Sequence, residues 1–285
     1  MISQNLSRRI AVAAVGIPLA IYLIFLGSWY LAATIAVLSV AGAAEFYAMA
    51  ERKGIRPIKV VGYGGTGLLP LGTYAFLSGK IDAEVLLFLA PLWVFLISIG
   101  ALVSEDPHGS PLSAMSVTFW GGVYAGLLPS AIIVLRHGME TTSALAATLL
   151  VLLPLVLTWV CDTAAMVGGS LIGGKKLAPN VSPNKTWAGA ASGALSAVIL
   201  APLYGTLVLQ RVGIDMSLPL LISIGLVVAI LGQVGDLTES LFKREVGVKD
   251  SGSFFPGHGG VLDRLDSLYW VLPSTVMVIK LFGVA

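Results

Sequence analysis

Apolar residues along this chain gather into stretches of about 20, each long enough to cross the hydrocarbon core of a bilayer as a helix. Nine such stretches lie near residues 9–27, 28–50, 60–79, 82–103, 112–135, 144–173, 187–210, 217–241 and 261–283. The pattern predicts an all-α, polytopic integral membrane protein with about nine transmembrane helices. Arg8 and Arg9 before the first stretch have the look of a secretory signal, but the run is too long and a second follows at once. It reads as a retained first helix.

An odd number of spans puts the termini on opposite sides, and the basic residues choose the direction. With the N-terminus in the cytoplasm, that side receives thirteen Lys and Arg: Arg8, Arg9, Arg52, Lys53, Arg56, Lys59, Lys175, Lys176, Lys185, Lys243, Arg244, Lys249 and Arg264. The other side receives four, Lys80, Arg136, Arg211 and Lys280. The positive-inside rule therefore predicts an N-in, C-out protein of a cytoplasmic (inner) membrane. The connection with Glu105, Asp106 and His108 carries no Lys or Arg and contributes nothing to this assignment.

Composition sharpens the picture. Of 285 residues, 56% are apolar and only 11% charged, which excludes an ordinary soluble domain. Seventeen basic against 15 acidic residues leave +2, so there is no broadly basic surface for nucleic acid. The single cysteine, Cys161, excludes an intramolecular disulfide or a thiolate zinc cluster and reads as a small buried hydrophobe.

The polar intervals divide the chain into residues 1–140, about five hydrophobic spans, and residues 141–285, about four spans expected to carry the chemistry. Loop 51–59 is short and basic, a topology anchor. Loops 174–186 and 242–260 are different: KKLAPNVSPNKT occupies 175–186 and KREVGVKDSGSFFPGHGG occupies 243–260. Both fall on the cytoplasmic side, so topology brings the two most polar segments to one surface.

A charge inside a span costs at least a few kcal/mol, which makes an intramembrane carboxylate a functional candidate. Asp162 lies deep in the sixth stretch. Asp236 and Glu239 lie three residues apart toward the end of the eighth, and Asp263 and Asp266 open the ninth with the same spacing. Each pair shares a helical face. Two such pairs at one surface repel unless a cation sits among them, and hard carboxylate donors without thiolates favour magnesium over zinc. Magnesium so held shares substrate phosphates, for which Lys175, Lys176, Lys185, Lys243, Arg244 and Lys249 are at hand.

Glycine runs give weaker signals. Residues Gly62, Gly64 and Gly67 match a dinucleotide-binding pattern, but no strand precedes them, and close helix packing is the better reading. Gly169 to Lys176 nearly spells a P-loop, yet Lys176 stands where Ser or Thr must bind magnesium. Beside Asp162, these glycines instead allow close approach of backbone or ligand. His258, between glycines in a loop, is a candidate phosphate contact. Phe254, Phe255, Trp187 and Tyr269 read as an interfacial belt.

From Ser240 to Ser267 the chain reads SLFKREVGVKDSGSFFPGHGGVLDRLDS. This closely resembles the signature of phosphatidate cytidylyltransferases, or CDP-diglyceride synthases. The resemblance extends back through Gly235, Asp236 and Glu239, Asp162 and Thr163, Lys176 to Pro179, and Ser182 to Trp187. It implies transfer of CMP from CTP to phosphatidic acid, giving CDP-diacylglycerol and pyrophosphate. Magnesium is then required, with room for a second, monovalent or divalent, cation, and a homodimer is expected. Under this resemblance Asp236, Asp263 and Asp266 are assigned to metal, with Asp162 and Glu239 as supporting ligands. Lys249, Lys185, Arg264 and His258 are assigned to phosphates, then Lys243 and Arg244, with Ser182 and Asn184 beside the substrate. Two rivals remain at this point: a CDP-alcohol phosphotransferase, whose D-G-x-x-A-R core is absent, and a cation- or proton-coupled transporter, whose related halves are not seen.

Overall fold

The computed structural model describes the backbone of residues 2–104, 108–255, 257 and 259–283, and side chains from residue 14 onward within those ranges. Among the described residues the chain is built of long helices. They are α1 (Ile2–Leu26), α2 (Ser28–Glu51), α3 (Lys59–Leu77), α4 (Ala83–Val103), α5 (Pro111–Gly122), α6 (Leu128–His137), α7 (Ala144–Ile172), α8 (Trp187–Tyr204), α9 (Leu218–Glu245) and α10 (Leu262–Leu281). A π turn, Val123–Leu127, joins α5 and α6 into one rod, and α8 continues through a second π turn, Gly205–Leu209. Six of these rods are long and apolar enough to cross a membrane by length and composition. On α4, Leu87 is 71% exposed and Phe88 69%. Against water each would forfeit about 1.5–3 kcal/mol of burial, whereas against lipid tails nothing is lost. The all-α polytopic class expected from the apolar stretches is the class observed.

Lipid dictates this choice of element, because a spanning segment must satisfy its own backbone hydrogen bonds. It also explains prolines within helices, such as Pro70, Pro154 and Pro273, which would break a soluble helix.

The chain forms two compact units. The first comprises Met1–His137 with Glu245–Arg264, the second Gly138–Arg244 with Leu265–Ala285. In the first, aromatic rings sit on glycines. The fully buried Tyr47 donates from Oη to the Thr118 carbonyl at 2.7 Å, and a Cβ on Gly62 or Gly121 would lie 2.5 Å from its side chain. Trp93 donates from Nε1 to the Val61 carbonyl at 3.1 Å and occupies the space over Gly65. Gly62 and Gly65 thus lie within α3 as seats for rings and Gly67 lies against Val40, as the packing reading has it, while Gly64 faces open space. At the α1–α2 corner the buried Arg136 guanidinium donates to the carbonyls of Ile24 (2.7 Å) and Phe25 (2.9 Å), capping α1 with a cation at its C-terminal end.

In the second unit α7 and α8 pack through small residues: a Cβ on Gly189 would lie 2.5 Å from the Ala165 carbonyl, and one on Gly193 2.9 Å from that of Cys161. Cys161 is buried beside Ala197 and Ala229. Gly173 and Gly174, at φ 69° and 90°, turn the chain off α7.

Three expectations change in detail. Segment 174–186 is not an open loop but an antiparallel hairpin, β1 (Lys176–Ala178) and β2 (Ser182–Thr186), with Lys176 opposite Thr186 and Ala178 opposite Ser182. Lys243 and Arg244 belong to the last turn of α9 rather than to the loop after it. Tyr269 is 1% exposed, a core residue and no part of an interfacial belt, while Trp187 and Phe254 do stand exposed.

Candidate functional site

The second unit gathers acids from three helices, two of them beside the hairpin residue Lys185. Asp236, on α9, accepts an ion-pair contact at Oδ2 from Lys185 Nζ at 2.6 Å, and its Oδ1 accepts from Ser240 Oγ at 3.3 Å. Asp162 on α7 and Asp266 on α10 stand close enough for each to feel the Asp236 charge. Lys185 also attracts Asp162, and Lys243 attracts Asp266. Asp266 Oδ1 accepts from the Ser267 backbone N–H at 2.6 Å, which fixes its rotamer.

Lys185 owes its position to the hairpin. Thr186, the buried N-cap of α8, accepts at Oγ1 from Gly189 N–H at 3.1 Å. Arg244 Nε reaches from α9 to the Val181 carbonyl at 3.3 Å, pinning the turn. Side chains alternate along a strand, so Lys185 faces opposite to Asn184 and Thr186. Asn184 is exposed and Ser182 half-buried.

Glu239 and Lys243 form a separate pair. Glu239 is wholly buried and accepts from Lys243 Nζ at 3.0 Å, one turn on along α9. Low dielectric leaves such charges little choice but to neutralise one another. Asp162 and Asp236 share the neighbourhood of Lys185, while Asp266 stands by Asp236 and Asp162 and is attracted by Lys243.

Among the described residues no group of three acidic, histidine or cysteine side chains stands ready as a metal cage. Magnesium does not need one: it binds through one or two carboxylates and takes its other ligands from water and substrate phosphates. A set of three carboxylates, one of them ion-paired to Lys185 and another attracted by Lys243, supplies hard oxygen donors of the kind that ion takes. Asp236 and Asp266 are the residues that could hold it.

The first unit holds Asp263, three residues before Asp266 on α10. Its Oδ2 accepts from the Ser251 backbone N–H, the Ser251 hydroxyl and the Gly260 backbone N–H, all at 2.8 Å. A short bridge between Phe255 and Gly259, with Phe255 N–H donating to the Gly259 carbonyl at 2.9 Å, closes the glycine-rich tip. Lys249 and Arg264 are exposed. His258 lies outside the described residues.

Sequence reasoning missed Glu45 on α2. Its Oε1 accepts from the Val261 N–H at 2.9 Å, and its Oε2 accepts from the Leu262 N–H and the Ser251 hydroxyl, both at 3.0 Å. The signal was present: an acid inside the apolar stretch AGAAEFYAMA meets the same criterion that singled out Asp162.

Comparison with known proteins follows the same lines. The cytidylyltransferase family matches residues 7–282. A phosphatidate cytidylyltransferase of Synechocystis sp. is 31% identical over 288 residues, covering 94% of this chain and 94% of that protein. One from Staphylococcus epidermidis is 45% identical over 124 residues, 43% of this chain and 46% of its own. One from Haemophilus influenzae is 39% identical over 152 residues, 53% of each chain. With one family matching almost end to end and a full-length relative above 30% identity, the chain belongs to the cytidylyltransferase family and is a nucleotidyltransferase enzyme.

Proposed function

We propose that this membrane enzyme transfers the cytidylyl group of CTP to the phosphate of phosphatidic acid, releasing pyrophosphate and forming CDP-diacylglycerol at the cytoplasmic membrane face. The observation that carries the reading is the Lys185–Asp236 pair with Asp162 and Asp266 beside it. α9 has 28 residues, about 42 Å of helix against about 30 Å of hydrocarbon, so its last turns run beyond the lipid core. Asp236, nine residues before its end, lies where a water-soluble nucleotide and a lipid head group can meet. The full-length relative named a phosphatidate cytidylyltransferase supports the choice of acceptor.

A lipid phosphate oxygen bonds to the α-phosphorus as the bond from that phosphorus to the bridging oxygen breaks, and pyrophosphate leaves with the electron pair. The attacking phosphate is an anion without a proton to lose, so no general base is required. The protein's tasks are alignment and neutralisation of charge. Lys185, Lys249 and Arg264 receive phosphate oxygens, with Arg244 and His258 as further contacts. Asp236 and Asp266 hold magnesium, Asp263 is assigned with them, and Asp162 supports. Magnesium, when bound, withdraws charge from the phosphates it touches. Glu239, committed to Lys243, contributes stability rather than ligation. We assign nine spans, N-in and C-out, and a homodimer to the working enzyme, as the basic residues and the family resemblance imply.

The test is incorporation of radiolabelled CTP into a chloroform-soluble product by the purified enzyme in detergent with phosphatidic acid. Label should enter lipid only when phosphatidic acid and magnesium are both present. Absence of labelled lipid, or labelling indifferent to phosphatidic acid, would overturn the reading. A CDP-alcohol phosphotransferase or a transporter makes no such product.

A further inference from the structure

We infer that Glu45, on α2, is a positioning residue for cytidylyl transfer: it holds Ser251, Val261 and Leu262 and, through Ser251, the carboxylate of Asp263. This rests on the reading that the acids opening α10 serve the reaction. Glu45 lies more than 200 residues from its partners in the chain and nevertheless satisfies three donors with its two oxygens. Two of these are the N–H groups of Val261 and Leu262, where α10 begins and where no intrahelical carbonyl is available. A carboxylate there also meets the positive end of the helix dipole.

Ser251 links the two acids. Its hydroxyl lies 3.0 Å from Glu45 Oε2 and 2.8 Å from Asp263 Oδ2, and its backbone N–H donates to the same Asp263 oxygen. One hydroxyl proton serves one carboxylate at a time, so the contact couples the two rather than saturating either. The chain leaves room for no bulkier arrangement. A Cβ on Gly252 or Gly260 would overlap the Glu45 carboxylate, which explains glycine at both ends of the segment. Glu45 is only half-buried and pairs with no Lys or Arg among the described residues, so ordinary charge pairing is not its role. Its donors are all in the segment that leads into Asp263.

Glu45→Gln keeps the shape but turns one acceptor into a donor: with its oxygen kept toward Leu262 N–H and Ser251, its NH2 group faces the Val261 N–H and that bond is lost. Outer partners of metal-binding groups are typically worth about 10–100-fold in affinity or activity, and a loss in that range is expected for kcat. The half-saturating magnesium concentration should rise by at least about threefold. Melting in detergent should stay near the parent's. In the metal-free enzyme, amide hydrogen exchange at Ser251 and at Gly260, Val261 and Leu262 should quicken, a readout independent of turnover. Parent-like kcat, magnesium dependence and exchange in Glu45→Gln would overturn the inference. So would a loss of activity that merely tracks the amount of folded protein, with magnesium dependence unchanged. Asp266→Asn separates the two levels: if it keeps parent activity, the reading of the α10 acids fails; if it is dead while Glu45→Gln is parent-like, only the role of Glu45 fails.

Discussion

Replacing Gly235 with alanine tests whether the spacing of α9 and α10 sets the geometry of the acids. A Cβ at this position would lie 2.5 Å from the backbone oxygen of Asp266, 2.8 Å from Trp270 Cδ1 and 3.1 Å from Ser267 Cα, where ordinary contact begins at 3.4 Å. The closest neighbour is backbone, so no rotamer change relieves it. The helices must separate or turn locally by about 1 Å. Asp236 follows Gly235 directly on α9, and Asp266 itself supplies the obstructing carbonyl, so the displacement falls on two of the three clustered acids. A misplacement of about 1 Å near reacting groups costs on the order of 100-fold in rate, and overpacking costs about 1–3 kcal/mol in stability. Gly232, one turn earlier, provides the control. A Cβ there meets Val271 Cγ2 at 3.5 Å and Ser267 Cβ at 3.8 Å, which is ordinary contact. Initial rates of label transfer from CTP to lipid should fall about 100-fold in Gly235→Ala and stay within about twofold of the parent in Gly232→Ala. Equal rates in the two variants would refute the idea that this helix approach sets the site.

Lys185→Met removes the cation paired with Asp236 and should lower kcat/KM for CTP by about 10–100-fold while leaving the hairpin and the Thr186 cap in place, measured by initial rates with CTP varied. Lys243→Met strands the buried Glu239 carboxylate and should destabilise by roughly 3–5 kcal/mol, whereas Lys243→Met with Glu239→Leu should recover most of that loss in a thermal melt. Chelation of divalent cations should abolish transfer, with magnesium restoring it; activity undiminished in excess chelator would remove magnesium from the reading.

Much of the candidate site was legible because membranes penalise charge. Asp162, Asp236 and Asp266 stood out as acids in or beside apolar stretches, and the structure brings their charges together. The division of labour among them was not legible. Asp236 and Glu239 share one face by spacing, yet one pairs with Lys185 and the other is buried with Lys243. Spacing along a helix reports which residues are neighbours on its surface, not which part of that surface another helix covers. Lys243 accordingly read as a phosphate-binding cation, although its partner lies one turn away. The hairpin at 176–186 is illegible for a related reason: a pair of strands of three and five residues carries little periodicity, and Pro179 and Pro183 suggest irregular chain.

The apolar stretches alone determined the class of fold and the limits of several helices: 144–173 became Ala144–Ile172, and 28–50 became Ser28–Glu51. Lipid gives a spanning segment no other way to satisfy its backbone, so length and hydropathy suffice. Only the tertiary structure decided which side chains meet. Glu45 finds the amide of Val261 across 216 residues, and Gly235 presses on the Asp266 carbonyl between two helices. Such contacts follow from packing of distant segments, which leaves no local pattern in either one.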